Sequence, residues 1–221
     1  TIVGPADMDV NQTASAIEQA IAKNPKGIIT WGFDPGMDSA VNNAIAAGIP
    51  VVPIVGDLSS SDRNTYVGSS QYELGYIGGE ALASEINNEG KVAILTLPGV
   101  GMFDSREEGF RAAIDDINSN GGNIEIVAVG DTKADIAEAL KAGKDIMASQ
   151  PDLAGFFGTD STAAFGAVNA VKEGNKIGDI KIVGMDRNSD ILQEIKNGNI
   201  SGTIAQNDAA TVYWAFLALI S

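Results

Sequence analysis

Short apolar runs rich in β-branched residues alternate along the chain with longer amphipathic segments. The apolar runs predict β-strands over Gly27–Trp31, Val51–Val55, Tyr66–Gly68, Val92–Leu97, Ile124–Val129, Leu153–Phe157, Ile180–Asp186 and Ser201–Gln206. The amphipathic segments predict helices over Val10–Lys23, Met37–Ala47, Tyr72–Ile86, Asp104–Ile117, Lys133–Ser149, Thr162–Glu173, Asp190–Asn197 and Asp208–Ile220. Near-continuous apolar character in several strands is typical of parallel sheets covered on both faces. The sequence therefore predicts an α/β fold with doubly wound parallel sheets.

An internal repeat adds a second level of organisation. Segments 23–48 and 149–174 each contain a helix end, a proline, a buried strand, a Gly-x-Asp turn and another helix. When the two prolines are aligned, Asp34 falls on Asp160 without a gap. Two copies of one βα unit predict two similar lobes. Because ligands of open α/β sheets bind beyond the carboxyl ends of the strands, we expect Asp34 and Asp160 to lie near one shared cleft.

Composition narrows the chemistry. The chain of 221 residues has a formal net charge of −15, which argues against a nucleic-acid partner, since such surfaces need clustered Lys and Arg. It has no cysteine and no histidine, which excludes thiol nucleophiles, Ser-His-Asp triads and most transition-metal sites. The segment Gly99-Val-Gly101 lacks the third glycine of a dinucleotide fingerprint. We therefore expect no metal and no cofactor.

The sequence pattern at both ends of the chain is that of a truncated protein. The chain begins inside a strand-like run, Ile2-Val3-Gly4, with no capped element before it, and stops inside an apolar helix, Val212–Ile220. We expect the chain to be a fragment, or the ordered portion, of a longer protein.

Several polar side chains close predicted strands or follow shortly after them. These residues are Asp57, Asp160, Asp186 and Gln206. Any one of them alone is accounted for by helix capping or solvent exposure. Their shared location after parallel strands favours a common ligand site.

Local patterns at two helix starts give further expectations. Ser105 and Glu108 have the spacing of a capping box, which predicts a helix that begins near Asp104. Arg106 would then lie in the first turn, where a cation is unfavourable with the helix dipole, so we expect it to face a ligand or a carboxylate. Asp9 is predicted to cap the first helix.

Carboxylates, a guanidinium and an amide form pairs of hydrogen bonds with neighbouring hydroxyls, and aromatic rings pack on the C–H faces of sugars. This mixture is typical of carbohydrate recognition, in which charge-assisted hydrogen bonds impose geometry. Trp31, Phe103 and Phe157 are the aromatic side chains close to the candidate polar residues along the sequence. Phe157 ends an apolar strand, so we expect it to pack in the core.

A set of short motifs, spread over nearly the whole chain, carries a family resemblance. The motifs are Gly48–Val52, Tyr66–Gly68, Pro98-Gly99, Arg106–Phe110, Gly158–Asp160, Ile182–Asp186 and Gly202–Gln206. In this order they resemble the bacterial sugar-binding proteins of ABC importers, the ribose-binding-protein type of periplasmic binding protein. The resemblance implies two lobes joined by a hinge. The N-terminal lobe would comprise residues 1–69 plus 207–221 and be incomplete, and the C-terminal lobe would comprise residues 70–206.

The resemblance also implies roles for single residues. Arg106, Asp160, Asp186 and Gln206 match positions that hydrogen-bond sugar hydroxyls. Ribose binders have Asn in place of Asp160, so the ligand can differ. Asp57 is offset by two residues from the usual strand-end Asp, and Ala134 replaces a stacking aromatic. The full set of candidate ligand-binding residues is Arg106, Asp160, Asp186, Gln206, Asp57, Asp34, Trp31, Phe103 and Ser70.

The function implied is that of an extracytoplasmic receptor, which binds a monosaccharide between its lobes and delivers it to the membrane permease of an ABC importer. Such a protein is a monomer in the bacterial cell envelope, either periplasmic or extracellular and membrane-anchored. Two other interpretations stay open: the sugar-sensing effector domain of a LacI-type transcription repressor, and an α/β enzyme acting on a sugar. Because the family's first strand is central in the N-terminal lobe, we expect a gap or a borrowed strand in that sheet.

Overall fold

The computed structural model describes residues 1–5 and 9–220. The helices are α1 Val10–Ile21, α2 Asp38–Ala46, α3 Gln71–Glu85, α4 Gly101–Ser119, α5 Ile136–Ser149, α6 Ser161–Glu173, α7 Ser189–Lys196 and α8 Asp208–Ile220, with a short 3₁₀ turn at Pro35–Met37. The strands are β1 Ile28–Trp31, β2 Val51–Ile54, β3 Glu89–Thr96, β4 Asn123–Asp131, β5 Leu153–Gly158, β6 Lys181–Met185 and β7 Gly202–Ile204. The alternation of helices and strands confirms the predicted α/β class.

The chain divides into two compact units. Unit 1 comprises residues 1–69 and 207–221, and unit 2 comprises residues 70–206. In unit 1, β1 and β2 pair in parallel from Ile28 opposite Val51 to Trp31 opposite Ile54. Helix α1 begins where the Asp9 carboxylate accepts a hydrogen bond from the Gln12 amide at 2.8 Å, as predicted for a helix cap.

Unit 2 contains a parallel sheet of five strands in the order β4-β3-β5-β6-β7. One face of the sheet packs against α5 and α6, through a cluster that includes Phe156. The other face packs against α3 and α4, where the buried ring of Phe110 stacks on Phe157 with centroids 4.5 Å apart. Helices on both faces explain why the strands read as continuous apolar runs. The predicted core position of Phe157 is confirmed, since its side chain is fully buried.

Helices α3 and α4 cross with their backbones in contact. A Cβ on Gly75 would collide with the carbonyl group of Arg106, and a Cβ on Gly109 would collide with the carbonyl group of Tyr72. Glycine is therefore required at both positions for this crossing. The crossing fixes the position of α4 along α3, and with it the position of Arg106 relative to the first turn of α3.

Some local predictions are wrong. Helix α4 begins at Gly101 rather than near Asp104, and Val100 caps it without a side-chain hydrogen bond. Asp104 instead lies in the first turn and accepts a hydrogen bond from the Gly99 amide at 3.0 Å. Arg106 therefore lies in the second turn, and Ser105 is not a cap. The apolar Met102 and Phe103, both buried, extend the helix toward its N-terminus.

Two strand-like runs in unit 1 also differ from the expectation. Residues 66–68 make only an isolated bridge, between Val67 and Ile54. The run at residues 2–4 is in no strand, and Ile2 is fully exposed, so no described strand pairs with it. The described strands of unit 1 form the parallel pair β1 and β2, and the expectation of a gap or a borrowed strand in that sheet stays a prediction.

Candidate functional site

Two carboxylates lie at the carboxyl ends of neighbouring strands in unit 2. Asp160 follows β5 and caps α6, where its Oδ1 accepts a hydrogen bond from the Ala163 amide at 2.7 Å. Asp186 follows β6, and its Oδ2 accepts a hydrogen bond from the Ser161 amide at 3.1 Å. Both carboxylates thus converge on the start of α6. The amides at a helix N-terminus favour negative charge, which helps to hold the two side chains close together.

The backbone of Asp186 is held in a conformation that few non-glycine residues adopt. Its φ is 75°. The Asp186 amide donates to the carbonyl oxygen of Ile204 at 2.9 Å, and its own carbonyl oxygen accepts from Thr203 Oγ1 at 2.7 Å. Strand β7 therefore fixes the orientation of the Asp186 side chain. Backbone strain of this kind is common at functional sites.

Arg106 is an almost completely buried cation, with 2% of its surface exposed. Its Nε donates a hydrogen bond to Gln71 Oε1 at 2.8 Å, and its Nη1 donates to the carbonyl oxygen of Thr159 at 2.6 Å. The guanidinium carbon lies 5.5 Å from the centre of the Phe103 ring. Burial of a charge is costly unless hydrogen bonds and opposite charges compensate it. These contacts place Arg106 next to the residue that precedes Asp160.

The electrostatics of the site centre on Asp160. Burial raises the pKa of Asp160 above its ordinary value of 3.8, and the negative charge of Asp186 raises it further. The hydrogen bond from the Ala163 amide and the positive charge of Arg106 lower the pKa of Asp160, but the net shift is still upward. Ionised Asp160 is therefore incompletely stabilised by the protein alone. Hydrogen-bond donors from a ligand would favour its charged form.

Buried threonines support the loop that carries Asp160. Thr159 Oγ1 hydrogen-bonds Thr96 Oγ1 at 2.9 Å, and both residues are fully buried. The Thr159 amide donates to the carbonyl oxygen of Leu95 at 3.0 Å. This network fixes the carbonyl group that holds Arg106. Thr159 and Gln71 were not among the predicted site residues.

The remaining candidates of unit 2 lie near other strand and helix ends. Ser70 caps α3, where its hydroxyl accepts a hydrogen bond from the Glu73 amide at 3.2 Å. Gln206 lies two residues beyond the end of β7 and is partly exposed. Phe103 lies on α4 beneath the Arg106 guanidinium and is 4% exposed. The structure brings Arg106, Asp160 and Asp186 together more clearly than it does Ser70 and Gln206.

Unit 1 contains the other three candidates. Asp34 caps the short 3₁₀ turn, where its Oδ1 accepts from the Gly36 amide at 2.7 Å. Asp57 forms a bidentate ion pair with Arg63, including a bond of 2.7 Å from Nη2 to Oδ2. Trp31 is 43% exposed, and its ring meets Phe33 edge-on with centroids 6.0 Å apart. An exposed indole face at the end of a strand is available to a ligand, whereas Asp57 already has a cationic partner.

The described residues form no group of three or more acidic side chains arranged to hold a metal ion. None of the helices within 1–5 and 9–220 is both long and apolar enough to cross a bilayer.

The chain has two compact units with parallel strands, and charged side chains lie beyond the carboxyl ends of those strands. These features are typical of two-unit α/β ligand-binding proteins. The profile of the family described as the periplasmic binding protein domain matches residues 1–221. The chain therefore belongs to that family, as the sequence motifs implied.

Named relatives and solved structures agree with this assignment. The chain is 27% identical over 207 residues to the ribose import binding protein RbsB of Bacillus subtilis, which covers 93% of this chain and 65% of that protein. It is 28% identical over 210 residues to the D-apiose import binding protein of Paraburkholderia graminis, with the same coverages of 93% and 65%. The crystal structure of a sugar-binding protein of a sugar ABC transporter from Bacillus halodurans superposes with a TM-score of 0.92 at 30% identity, covering 97% of this chain and 73% of that one.

The chain thus spans just under two thirds of the length of the two curated relatives. These relatives are named for sugar import, which favours the transport interpretation over the repressor interpretation. The family is one of substrate-binding proteins.

Proposed function

We propose that this protein is the extracytoplasmic receptor of a bacterial ABC importer and that it binds a monosaccharide. The observation that carries the proposal is the grouping of Arg106, Asp160 and Asp186 at the strand ends of unit 2. Relatives named for ribose and apiose import support the same ligand class. Planar charged groups of this kind hydrogen-bond pairs of hydroxyls.

Each residue has a separate role in the proposal. Asp160 and Asp186 accept hydrogen bonds from sugar hydroxyls, and Arg106 donates to a hydroxyl or ring oxygen. Gln206 offers an amide that both donates and accepts. Ser70 and Phe103 border this half of the site. Since each carboxylate also accepts a bond from a backbone amide, its orientation is fixed before the ligand arrives.

The proposal also gives the three candidates of unit 1 a role in sugar binding. Trp31 would pack on the C–H face of the sugar, while Asp34 and Asp57 would accept hydroxyl hydrogen bonds. For Asp57 this requires sharing its carboxylate with Arg63. A ligand that contacts both units favours the closed arrangement over the open one, so binding would bend the hinge between them.

The proposal extends to partners and location. The closed, sugar-loaded monomer would be recognised by the membrane subunits of an ABC permease. The protein would act outside the cytoplasm, in the periplasm or anchored to the outer face of the membrane. No metal, cofactor or nucleic acid takes part, and the bound sugar is not chemically changed.

A thermal-shift screen against monosaccharides tests the proposal. A ligand that binds only the folded state raises the melting temperature of the protein, and the increase grows with the ratio of the ligand concentration to Kd. We expect one or two sugars to raise the melting temperature, with a Kd of about 1 μM or tighter by calorimetry. Asp186→Asn is expected to weaken binding by about tenfold or more, because it removes a charged acceptor.

The matched control for Asp186→Asn is Asp152→Asn, which alters an exposed carboxylate paired with Lys91 in the same unit. Its sugar affinity should equal that of the wild type. Binding of no monosaccharide by the wild type would overturn the proposed function. Equal affinity in the wild type and Asp186→Asn would overturn the site assignment alone.

A further inference from the structure

The start of α3 provides a contact to Arg106 that the sequence motifs do not reveal. Gln71 is the first residue of α3, and its Oε1 accepts a hydrogen bond from Arg106 Nε at 2.8 Å. The carbonyl oxygen of Thr159 accepts from Nη1 of the same guanidinium at 2.6 Å. Two acceptors at two different nitrogens fix the plane of a rigid guanidinium group. We propose that Gln71 is a positioning residue, which orients Arg106 for sugar binding.

The close crossing of α3 and α4 explains why Gln71 reaches Arg106. Gly75 lies one helical turn after Gln71, and its Cα faces the carbonyl group of Arg106 at the crossing. Gly109 lies one turn after Arg106 and meets Tyr72, the residue that follows Gln71. Gln71 and Arg106 therefore both lie within one helical turn of the same contact between the two helix backbones. A bulkier residue at either glycine would separate the helices and lengthen the bond.

Burial makes the orientation consequential. Because Arg106 is 2% exposed, water cannot replace a lost acceptor easily. If Gln71 no longer accepts from Nε, one of the contacts that fix the plane of the guanidinium is lost, and its orientation is less tightly held. A rotated guanidinium would meet sugar oxygens at poorer angles, and hydrogen bonds weaken steeply as their angles close.

The inference rests on the proposed function, and its test uses the sugar that gives the largest shift in the monosaccharide screen. Calorimetry compares the wild type with Gln71→Met, which keeps the length but not the acceptor, and with Gln71→Glu, which keeps an acceptor. We expect Gln71→Met to weaken binding about tenfold and Gln71→Glu to stay within about threefold of the wild type. The control is Gln193→Met, an exposed glutamine on α7 that bonds only Asn197 among the contacts described.

A double-mutant cycle separates positioning from a general structural effect. If Gln71 acts through Arg106, then Gln71→Met should change affinity by less than about twofold when Arg106 is already Met. Equal losses in both backgrounds would overturn the positioning role, as would an unchanged affinity in the single variant. Binding of no sugar by the wild type would instead overturn the proposed function, and the inference with it.

Discussion

Replacing Arg106 with Met tests whether the buried cation is held as tightly as its contacts indicate. The side chain donates charge-assisted hydrogen bonds to Gln71 and to Thr159. Each contributes about 1.5–3 kcal/mol, and the contact with the Phe103 ring adds about 0.5–1 kcal/mol. Methionine recovers part of this through apolar burial, since it fills much of the same volume. The expected loss in the free energy of unfolding is about 3–5 kcal/mol, typical of a broken buried charge network.

Urea unfolding of the sugar-free protein, followed by circular dichroism, measures this loss. The matched control is Arg111→Met on the same helix, whose side chain is 43% exposed and pairs with Glu107 one turn away. That pair should contribute only about 0.2–1 kcal/mol. If Arg106→Met costs less than about 1 kcal/mol, no more than the control, then Arg106 is not held as described. The reasoning about its role in binding would fall with it.

Three further predictions concern Asp160, Asp9 and the α3–α4 crossing. Because burial raises the pKa of Asp160 in the folded protein, its contribution to stability is fully present below the unfolded value of 3.8 and is lost as pH rises through the folded value. Asp160→Asn keeps the helix cap but has no charge to bury. The free energy of unfolding of Asp160→Asn, measured in urea, should therefore increase relative to that of the wild type as pH rises across this window. A difference between the two proteins that does not change with pH would contradict the effect. In Asp9→Asn the sign is opposite, since a backbone hydrogen bond from Gln12 lowers the pKa of Asp9 and its stabilisation is present above 3.8. At the crossing, Gly109→Ala should lower the free energy of unfolding by about 1–3 kcal/mol or more. The control is Gly101→Ala, whose Cβ would meet nothing within 4 Å, so this change should be neutral or stabilising by up to about 1 kcal/mol. Equal values for the two variants would show that the helices are not in backbone contact.

The sequence allowed the location of Asp160 and Asp186 to be predicted because the signals were local. Asp160 lies two residues and Asp186 one residue beyond the end of a short apolar strand, and strand ends of a parallel sheet meet at one edge. The start of α4 could not be predicted in the same way. Val100 caps the helix without a polar side chain, so the chain carries no capping signal there and the apparent signal at Ser105 was misleading.

The contact between Gln71 and Arg106 depends on packing rather than on local pattern. The two residues are 35 positions apart and belong to different helices. Only the tight crossing at Gly75 and Gly109 brings them together, and a glycine inside a helical segment does not by itself indicate where another helix crosses. Similarly, nothing in the spacing of Asp57 and Arg63 distinguishes an ion pair from two separate surface charges. Long-range contacts of this kind require the tertiary structure.

The state of Asp160 links the stability of the sugar-free protein to its proposed ligand. Its carboxylate is partly buried near a second carboxylate, and the hydrogen bond from the Ala163 amide does not compensate fully, since the pKa of Asp160 stays above the ordinary value. Asparagine at this position would avoid the cost, because an amide oxygen caps a helix as well as a carboxylate does. The raised pKa therefore indicates that ionisation of Asp160 is disfavoured in the empty protein. The advantage of a carboxylate appears when a ligand donates hydrogen bonds to the charged form, and such bonds are about twice as strong as neutral ones. The same partial burial that destabilises ionised Asp160 would thus strengthen its bonds to a sugar hydroxyl, because fewer water molecules compete for the carboxylate.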